Sequence, residues 1–176
     1  TDYGSADYYY VNKSSLPKVY GGFNTSLSWK GFDLSAIFAY SIGGYIYNRD
    51  ITMILHNGSL EGRDWSTEIL KRWTPDNRNT DVPALSTTTN NWNSASTRFL
   101  QNNSYMRLKN LTLSYNLPKQ WISKLSLSSV QVYVQGDNLF TIHRNQGLDP
   151  EQGITGITYY RYPAMRTISG GINVSF

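Results

Sequence analysis

Apolar and polar positions alternate strictly in five stretches of this chain. In "GGFNTSLSWK", Phe23, Thr25, Leu27 and Trp29 share one face, and Asn24, Ser26, Ser28 and Lys30 share the other. In "FDLSAIFAYSIG", Phe32, Leu34, Ala36, Phe38, Tyr40 and Ile42 oppose Asp33, Ser35, Ala39 and Ser41. In "YMRLKNLTLSYNLP" the pattern is clean from Asn110 onward, with Leu111, Leu113, Tyr115 and Leu117 on the apolar side. Before Asn110 it inverts: Met106 and Leu108 fall on the polar face, Arg107 and Lys109 on the apolar one. Either a bulge shifts the register there, or that end rises above the apolar zone. In "SVQVYVQGDNLFTI", Val130, Val132 and Val134 oppose Gln131, Tyr133, Gln135 and Asp137. In "TISGGINVSF", Ile168, Ile172, Val174 and Phe176 oppose Ser169, Asn173 and Ser175. A period of two predicts strands with chemically distinct faces.

The connections alternate too. Lys30-Gly31 forms a two-residue hairpin, with glycine free to take positive φ. A second short connection runs from Pro118 to about Ser128. Long connections follow the second stretch, to about Asn103, and the fourth, from about His143 to Ala164. The longer one, roughly 60 residues, is too long for a plain connector in a compact domain. Within it "DWSTEILKRWTP" predicts a short helix: Asp64 caps its start, Trp65, Ile69 and Trp73 form a stripe, and Pro75 ends it.

Short turns on one side and long loops on the other are the pattern of outer-membrane β-barrels. Eleven residues at ~3.3 Å each, tilted near 45°, rise about 26 Å, close to the apolar band of such barrels. Aromatic residues gather where the two interfaces would fall. Trp29, Phe32, Trp121 and Phe176 lie at the short-turn ends, and Tyr40, Tyr45, Tyr105, Phe140, Tyr159 and Tyr160 toward the long-loop ends. The competing architecture is a soluble β-sandwich, which explains the alternation equally well but explains less well the loop asymmetry, the strand length and the terminal Phe176. On the barrel reading Leu27, Trp29, Leu34, Phe38, Leu111, Leu113, Tyr115, Val130, Val132, Val134, Ile172 and Val174 face lipid. Five strands cannot close a barrel, so they would form one part of a larger wall.

Composition narrows the classes. Aromatics make up 14% of the 176 residues, while charged residues are only 16%, below the ~25% of a typical soluble domain. No window is long and apolar enough for a membrane helix. The net charge of +4 is spread out, with Lys71-Arg72 the only adjacent basic pair. That scatter argues against nucleic acid as a partner. Cysteine is absent, which excludes disulfides and thiol chemistry. The opening "TDYGSADYYYVNKSSLP" reads as the middle of a polar, aromatic-rich loop, so the chain is expected to be a piece of a longer one.

Catalytic patterns are missing. His56 and His143 lack metal-ligand spacing to any partner. Asp149 and Glu151 in "GLDPE" are weak candidates for Ca²⁺ in a loop, against a solvated turn around Pro150. Asp137-Asn138 reads as a hydrogen-bonding pair in the lumen or at a strand end. Asn-x-Ser/Thr triplets begin at Asn12, Asn24, Asn57, Asn110 and Asn173, and a polar lumen face accounts for them. Tyr45, Trp65, Trp73, Trp92 and Tyr159 are candidates for contact with a substrate or a capping partner, stacking on a sugar or covering a peptide side chain, or, the favoured role, for packing together to hold a long loop in one shape.

Several stretches in order resemble the C-terminal part of the SusC/RagA-like TonB-dependent transporters of Bacteroidetes outer membranes. They are "VYGGFNTSLSWKGFDLSAIFAYSIGG", "ILKRWTPDNRNTDVP", "NSYMRLKNLTLSYNLPKQW", "VQVYVQGDNLFTIHRNQGLDPE" and "YPAMRTISGGINVSF". The resemblance implies a fold that is all-β: about five C-terminal antiparallel strands of a 22-stranded transmembrane barrel, with long extracellular loops and a short loop helix. Residues 1–176 would be a fragment without the plug and N-terminal strands. It implies uptake of oligosaccharides or peptides, a SusD-like surface lipoprotein as lid, energy from the TonB complex through the absent N-terminal part, and outer-membrane lipid around the wall. The C-terminus would be periplasmic, with Phe176 as the assembly signal. No cofactor is implied. A soluble carbohydrate-binding sandwich and an outer-membrane barrel enzyme are the alternatives.

Overall fold

The computed structural model describes residues 3–56, 60, 62–86, 91–147, 149–151 and 154–176, without the side chains of Trp92 and Leu125. The Asn57 triplet and the Trp92 side chain, both singled out above, therefore lie outside the described part. The chain divides into two bodies: a sheet body of residues 16–44, 103–151 and 162–176, and a loop body of residues 1–15, 45–102 and 152–161.

The sheet body holds the five alternating stretches: β1 (Pro17–Trp29), β2 (Phe32–Gly43), β5 (Tyr105–Asn116), β6 (Ser129–His143) and β8 (Thr167–Ser175). They form one antiparallel sheet in the order β1-β2-β5-β6-β8. Every neighbour in space is also the next long strand in sequence, an up-and-down meander. The β1–β2 hairpin turns on Lys30 (φ 48°) and Gly31 (φ 88°). Both positive φ values suit the right-handed twist of the flanking strands. The Lys30 ammonium folds back over the Trp29 ring, 4.9 Å from its centroid.

Register lines the apolar residues into rows. Leu27 pairs with Leu34, Leu34 with Leu113, and Leu113 with Val134. The next row is Trp29, Phe32, Tyr115, Val132 and Ile172. Leu111 follows Ala36, and Val130 pairs with Val174. Cross-strand rings support the rows, with Phe23 stacked on Phe38 at 4.7 Å and Phe32 tilted on Tyr115 at 4.5 Å.

The inverted start of β5 has a mechanical cause. The pairing with β2 slips between Ile37 and Phe38, leaving Lys109 as the extra residue. Beyond the bulge, Phe38 pairs with Leu108 and Tyr40 with Met106. Both apolar residues thus rejoin the apolar rows, and Arg107 turns to the polar side. The bulge, rather than a rise out of the apolar zone, explains the inversion. Strand β6 bends at the same level. Asn138 takes φ 52°, and a Cβ on Gly136 would meet the Leu139 side chain at 2.6 Å.

The short connection after β5 carries two helical turns, α2 (Lys119–Ile122) and a 3₁₀ turn (Ser123–Leu125), with Ile122 buried.

The loop body has its own small sheet. β3 (Tyr45–Asn48) pairs antiparallel with β4 (Leu100–Asn102) and parallel with β7 (Ile157–Thr158). Helix α1 (Arg49–Ile54) follows β3, capped by Asn48 Oδ1, which accepts from the Ile51 N–H at 3.1 Å. The expected helix at "DWSTEILKRWTP" is a shorter 3₁₀ turn, Thr67–Lys71, capped by Ser66 rather than Asp64. At its end side chains satisfy the free carbonyls. Thr80 Oγ1 donates to Lys71 O at 2.6 Å, and Asn77 Nδ2 to Lys71 O and Arg72 O at 3.0 and 3.2 Å. The Trp65–Ile69–Trp73 stripe needed a continuous α-helix of a little over two turns and does not form. Ile69 alone is buried, while both tryptophans stay partly exposed.

Candidate functional site

The polar face of the sheet is a connected surface. Near the short-turn end, a chain of side-chain hydrogen bonds crosses all five strands. Ser28 Oγ donates to Asp33 Oδ1 at 2.5 Å, and Asn116 Nδ2 to Asp33 Oδ2 at 2.6 Å. Gln131 Nε2 donates to Asn116 Oδ1 at 3.1 Å, and Asn173 Nδ2 to Gln131 Oε1 at 3.1 Å. One turn higher, Asn110 Nδ2 and Gln135 Nε2 both donate to Asp137. Asp137 is thus a hydrogen-bonding wall residue, and Asn138 beside it reaches the Met165 carbonyl at 3.2 Å. Amides with a free donor or acceptor besides these bonds suit contact with water or a neutral polar solute.

At the other end the wall becomes charged. Arg107, only 4% exposed, uses all its nitrogens. Nε donates to Thr141 Oγ1 at 2.9 Å, Nη1 to Glu151 Oε2 at 2.8 Å and Nη2 to Asp149 Oδ1 at 2.5 Å. Lys109 Nζ adds a bond to Glu151 at 2.7 Å. Asp149 also accepts the N–H of Glu151 at 2.9 Å and of Ala164 at 2.6 Å. Burial pushes the Asp149 carboxyl up. The N–H groups of Ala164 and Glu151, with the Arg107 guanidinium, outweigh it and hold the group below its ordinary value. The expected solvated turn around Pro150 is therefore replaced by an ion-paired one. For a divalent cation, Asp149 and Glu151 present oxygens already taken by two fixed positive charges. Among the described residues no group of three or more His, Asp or Glu is placed to hold a metal ion.

Asp149 and Glu151 were visible in the sequence, but their partners were not. Their one signal was a pair of cations, Arg107 and Lys109, out of phase with the strand pattern.

The loop aromatics stand in the loop body with separate partners. Lys13 Nζ lies 4.6 Å from the Tyr45 ring centroid, and the Arg49 guanidinium 4.8 Å from that of Tyr159. Tyr159 meets Tyr160 edge-on at 4.6 Å. Trp65 meets His56 edge-on at 5.2 Å, not Trp73. The Trp73 N–H backbone group donates to Val82 O at 2.8 Å. Among the described residues neither histidine is placed in a nucleophile-and-base arrangement: His56 is fully buried against Trp65, and a His143 ring nitrogen bonds the Asn145 carbonyl at 2.9 Å.

The twelve residues expected on the lipid side lie together in the apolar rows, and none of them is buried. Phe176 follows β8 and is 92% exposed.

No family model matches the chain. Individual proteins do. The chain is 35% identical over 166 residues to TonB-dependent receptor P3 of Formosa agariphila, covering 88% of this chain and 16% of that protein. It is 27% identical over 168 residues to TonB-dependent receptor SusC of Bacteroides thetaiotaomicron, covering 95% of this chain and 16% of that one. Among solved structures, the RagAB peptide transporter superposes with a TM-score of 0.83 at 35% identity, covering 94% of this chain and 18% of the matched chain. The chain thus spans only 16% to 18% of the length of these relatives. The alternating strands, the meander and these likenesses place the chain among the SusC/RagA-like TonB-dependent receptors, as a fragment of their β-barrel.

Proposed function

We propose that this chain is wall and outer loop of an outer-membrane transporter that imports oligosaccharides or peptides. The carrying observation is which residues the sheet leaves uncovered. Leu27 and Ile172 are 66% and 64% exposed, and Leu113 and Val132 over 40%, while Arg107 and Ser114 are buried. A soluble sandwich would reverse that order, closing the aliphatic rows into a dry core. Facing hydrocarbon, the same rows need no further protein cover, and the polar network lines an aqueous interior. The short hairpins then lie in the periplasm, as does the end of β8, and the loop body lies outside the cell.

The names of the relatives support the rest. They are receptors and a peptide transporter, not enzymes. On that likeness we assign a SusD-like lipoprotein as the partner covering the outer loops, and the TonB complex as the energy source through parts of the protein outside this chain. Tyr45, Trp65, Trp73, Trp92 and Tyr159 belong to the body that would meet cargo or lid.

The test is uptake of labelled oligosaccharides and peptides by cells with and without the full-length gene, repeated in a strain lacking TonB. Loss of uptake in both deletions is expected. Uptake unchanged by deleting the gene overturns the transport reading, and uptake that survives only the loss of TonB overturns the energy source. Folding of residues 1–176 as a soluble monomer without detergent would favour the sandwich.

A further inference from the structure

The connection from β6 to β8 leaves the sheet body after Glu151 and re-enters it at Tyr162. The outgoing stem carries Asp149, Pro150 and Glu151, and the returning stem carries Ala164. One carboxylate joins them: Asp149 accepts from the Glu151 N–H on its own stem and from the Ala164 N–H on the other. It also bonds Arg107 on β5. Arg107 in turn is fixed by Thr141 on β6 and by Glu151. Asn103, just before β5, donates to the Pro150 carbonyl at 2.9 Å and accepts from Asn145 Nδ2 at 3.0 Å. Two positive and two negative side chains meet here, so the cluster is charge-balanced.

We propose that Arg107 and Asp149 form a collar that binds both stems of this loop to the wall. Arg107 acts as a positioning residue for the two stems, through Asp149 and Glu151 on the outgoing one and, by way of Asp149, the Ala164 N–H on the returning one. Arginine is required because its planar fork holds two carboxylates and a hydroxyl in fixed directions at once, which an ammonium cannot do. The Arg107–Asp149 pair, with side chains 4% and 7% exposed, is the anchor. The Lys109–Glu151 pair is about one-third exposed on both sides and is screened by water and salt. The collar is a property of the wall and the loop, and holds whatever the cargo is.

Hydrogen exchange on the full-length protein, assembled in membrane vesicles, tests it. Asp149→Asn is nearly isosteric and leaves Arg107 bonded to Glu151, so assembly is preserved. At least about 10-fold faster exchange at Glu151 and Ala164 is expected in this variant, with the β5 and β6 ladder amides unchanged. Arg107→Met is expected to do the same, and Arg107→Lys to restore only part of the protection. Lys109→Met changes it by less than about threefold. Unchanged protection at Glu151 and Ala164 in Asp149→Asn overturns the collar. Equal loss along all of β5 and β6 also overturns it, because Asp149 would then support the wall and not the loop. Should Arg107→Met fail to assemble, Asp149→Asn alone decides.

Discussion

The two bodies of this chain differ in what they do with their large apolar residues. Among the described residues of the loop body, the largest fully buried side chains are Phe99, Ile46, His56, Asn48 and Thr158. Ile46 lies on β3 and Phe99 in the 3₁₀ turn just before β4. Thr158 Oγ1 donates to Asp50 Oδ2 at 2.9 Å, and the Tyr160 N–H donates to Asp50 Oδ1 at 2.9 Å. Tyr47 lies edge-on to Phe99 at 6.2 Å, and burial pushes its hydroxyl pKa up. This is how a water-exposed domain closes itself. In the sheet body the aliphatic rows stay open, and the buried groups include Arg107, Ser114 and Asn145. On the proposed reading such a sheet is completed by its surroundings, hydrocarbon on one face and water and polar partners on the other. One polypeptide would then follow two solvent rules.

That contrast can be broken at several points. The largest effect is expected for Phe99→Ala, which removes the biggest fully buried side chain of the loop body. It should cost about 3–5 kcal/mol of local stability. Proteolysis and hydrogen exchange should then open residues 45–102 while the sheet stays protected, and simultaneous loss of both would show that the bodies do not obey separate rules. Next are Leu113→Arg and Val132→Arg on the open rows. Each should impair barrel stability by roughly 2–4 kcal/mol at mid-membrane, measured by denaturant unfolding in vesicles. Gln131→Arg, on the polar face between them, should cost about 1 kcal/mol for its lost amide bonds. Equal costs at all three positions would remove the assignment of faces.

Of the same size as Gln131→Arg is Asn116→Ala, which cuts the hydrogen-bond chain between Asp33 and Gln131. About 1 kcal/mol is expected, because both groups remain within reach of water. The smallest effect is one of pH. The Asp149 carboxyl is held below its ordinary value of 3.8, so its stabilisation is fully present above that value and is lost as pH falls through the depressed one. Exchange protection at Ala164, corrected for intrinsic rates, should stay flat from pH 8 to pH 5 and decline only below the ordinary carboxylate range. A decline centred above pH 5 would mean that Asp149 is not held by Arg107.

The five long strands were legible because a period of two is a local property. Each side chain's face follows from its own position in an extended backbone, and two contrasting solvents write that alternation at every step. The Lys30-Gly31 turn was legible for the same reason. The loop body was not. β3, α1 and β7 are short and follow no period, and β7 exists only because Ile157 and Thr158 meet β3 from more than a hundred residues away. At residues 64–75 the periodicity is real, but only Thr67–Lys71 turns, as 3₁₀, and Asn77 and Thr80, outside that window, satisfy the carbonyl at its end.

Local sequence by itself determined the strands, their faces and the meander, since alternation and turn chemistry act between near neighbours. Tertiary structure alone decided the bulge at Lys109, the turning of Arg107 to the polar side and its meeting with Asp149. Those depend on register between strands and on where a long loop returns, and no residue carries that information in its own neighbourhood.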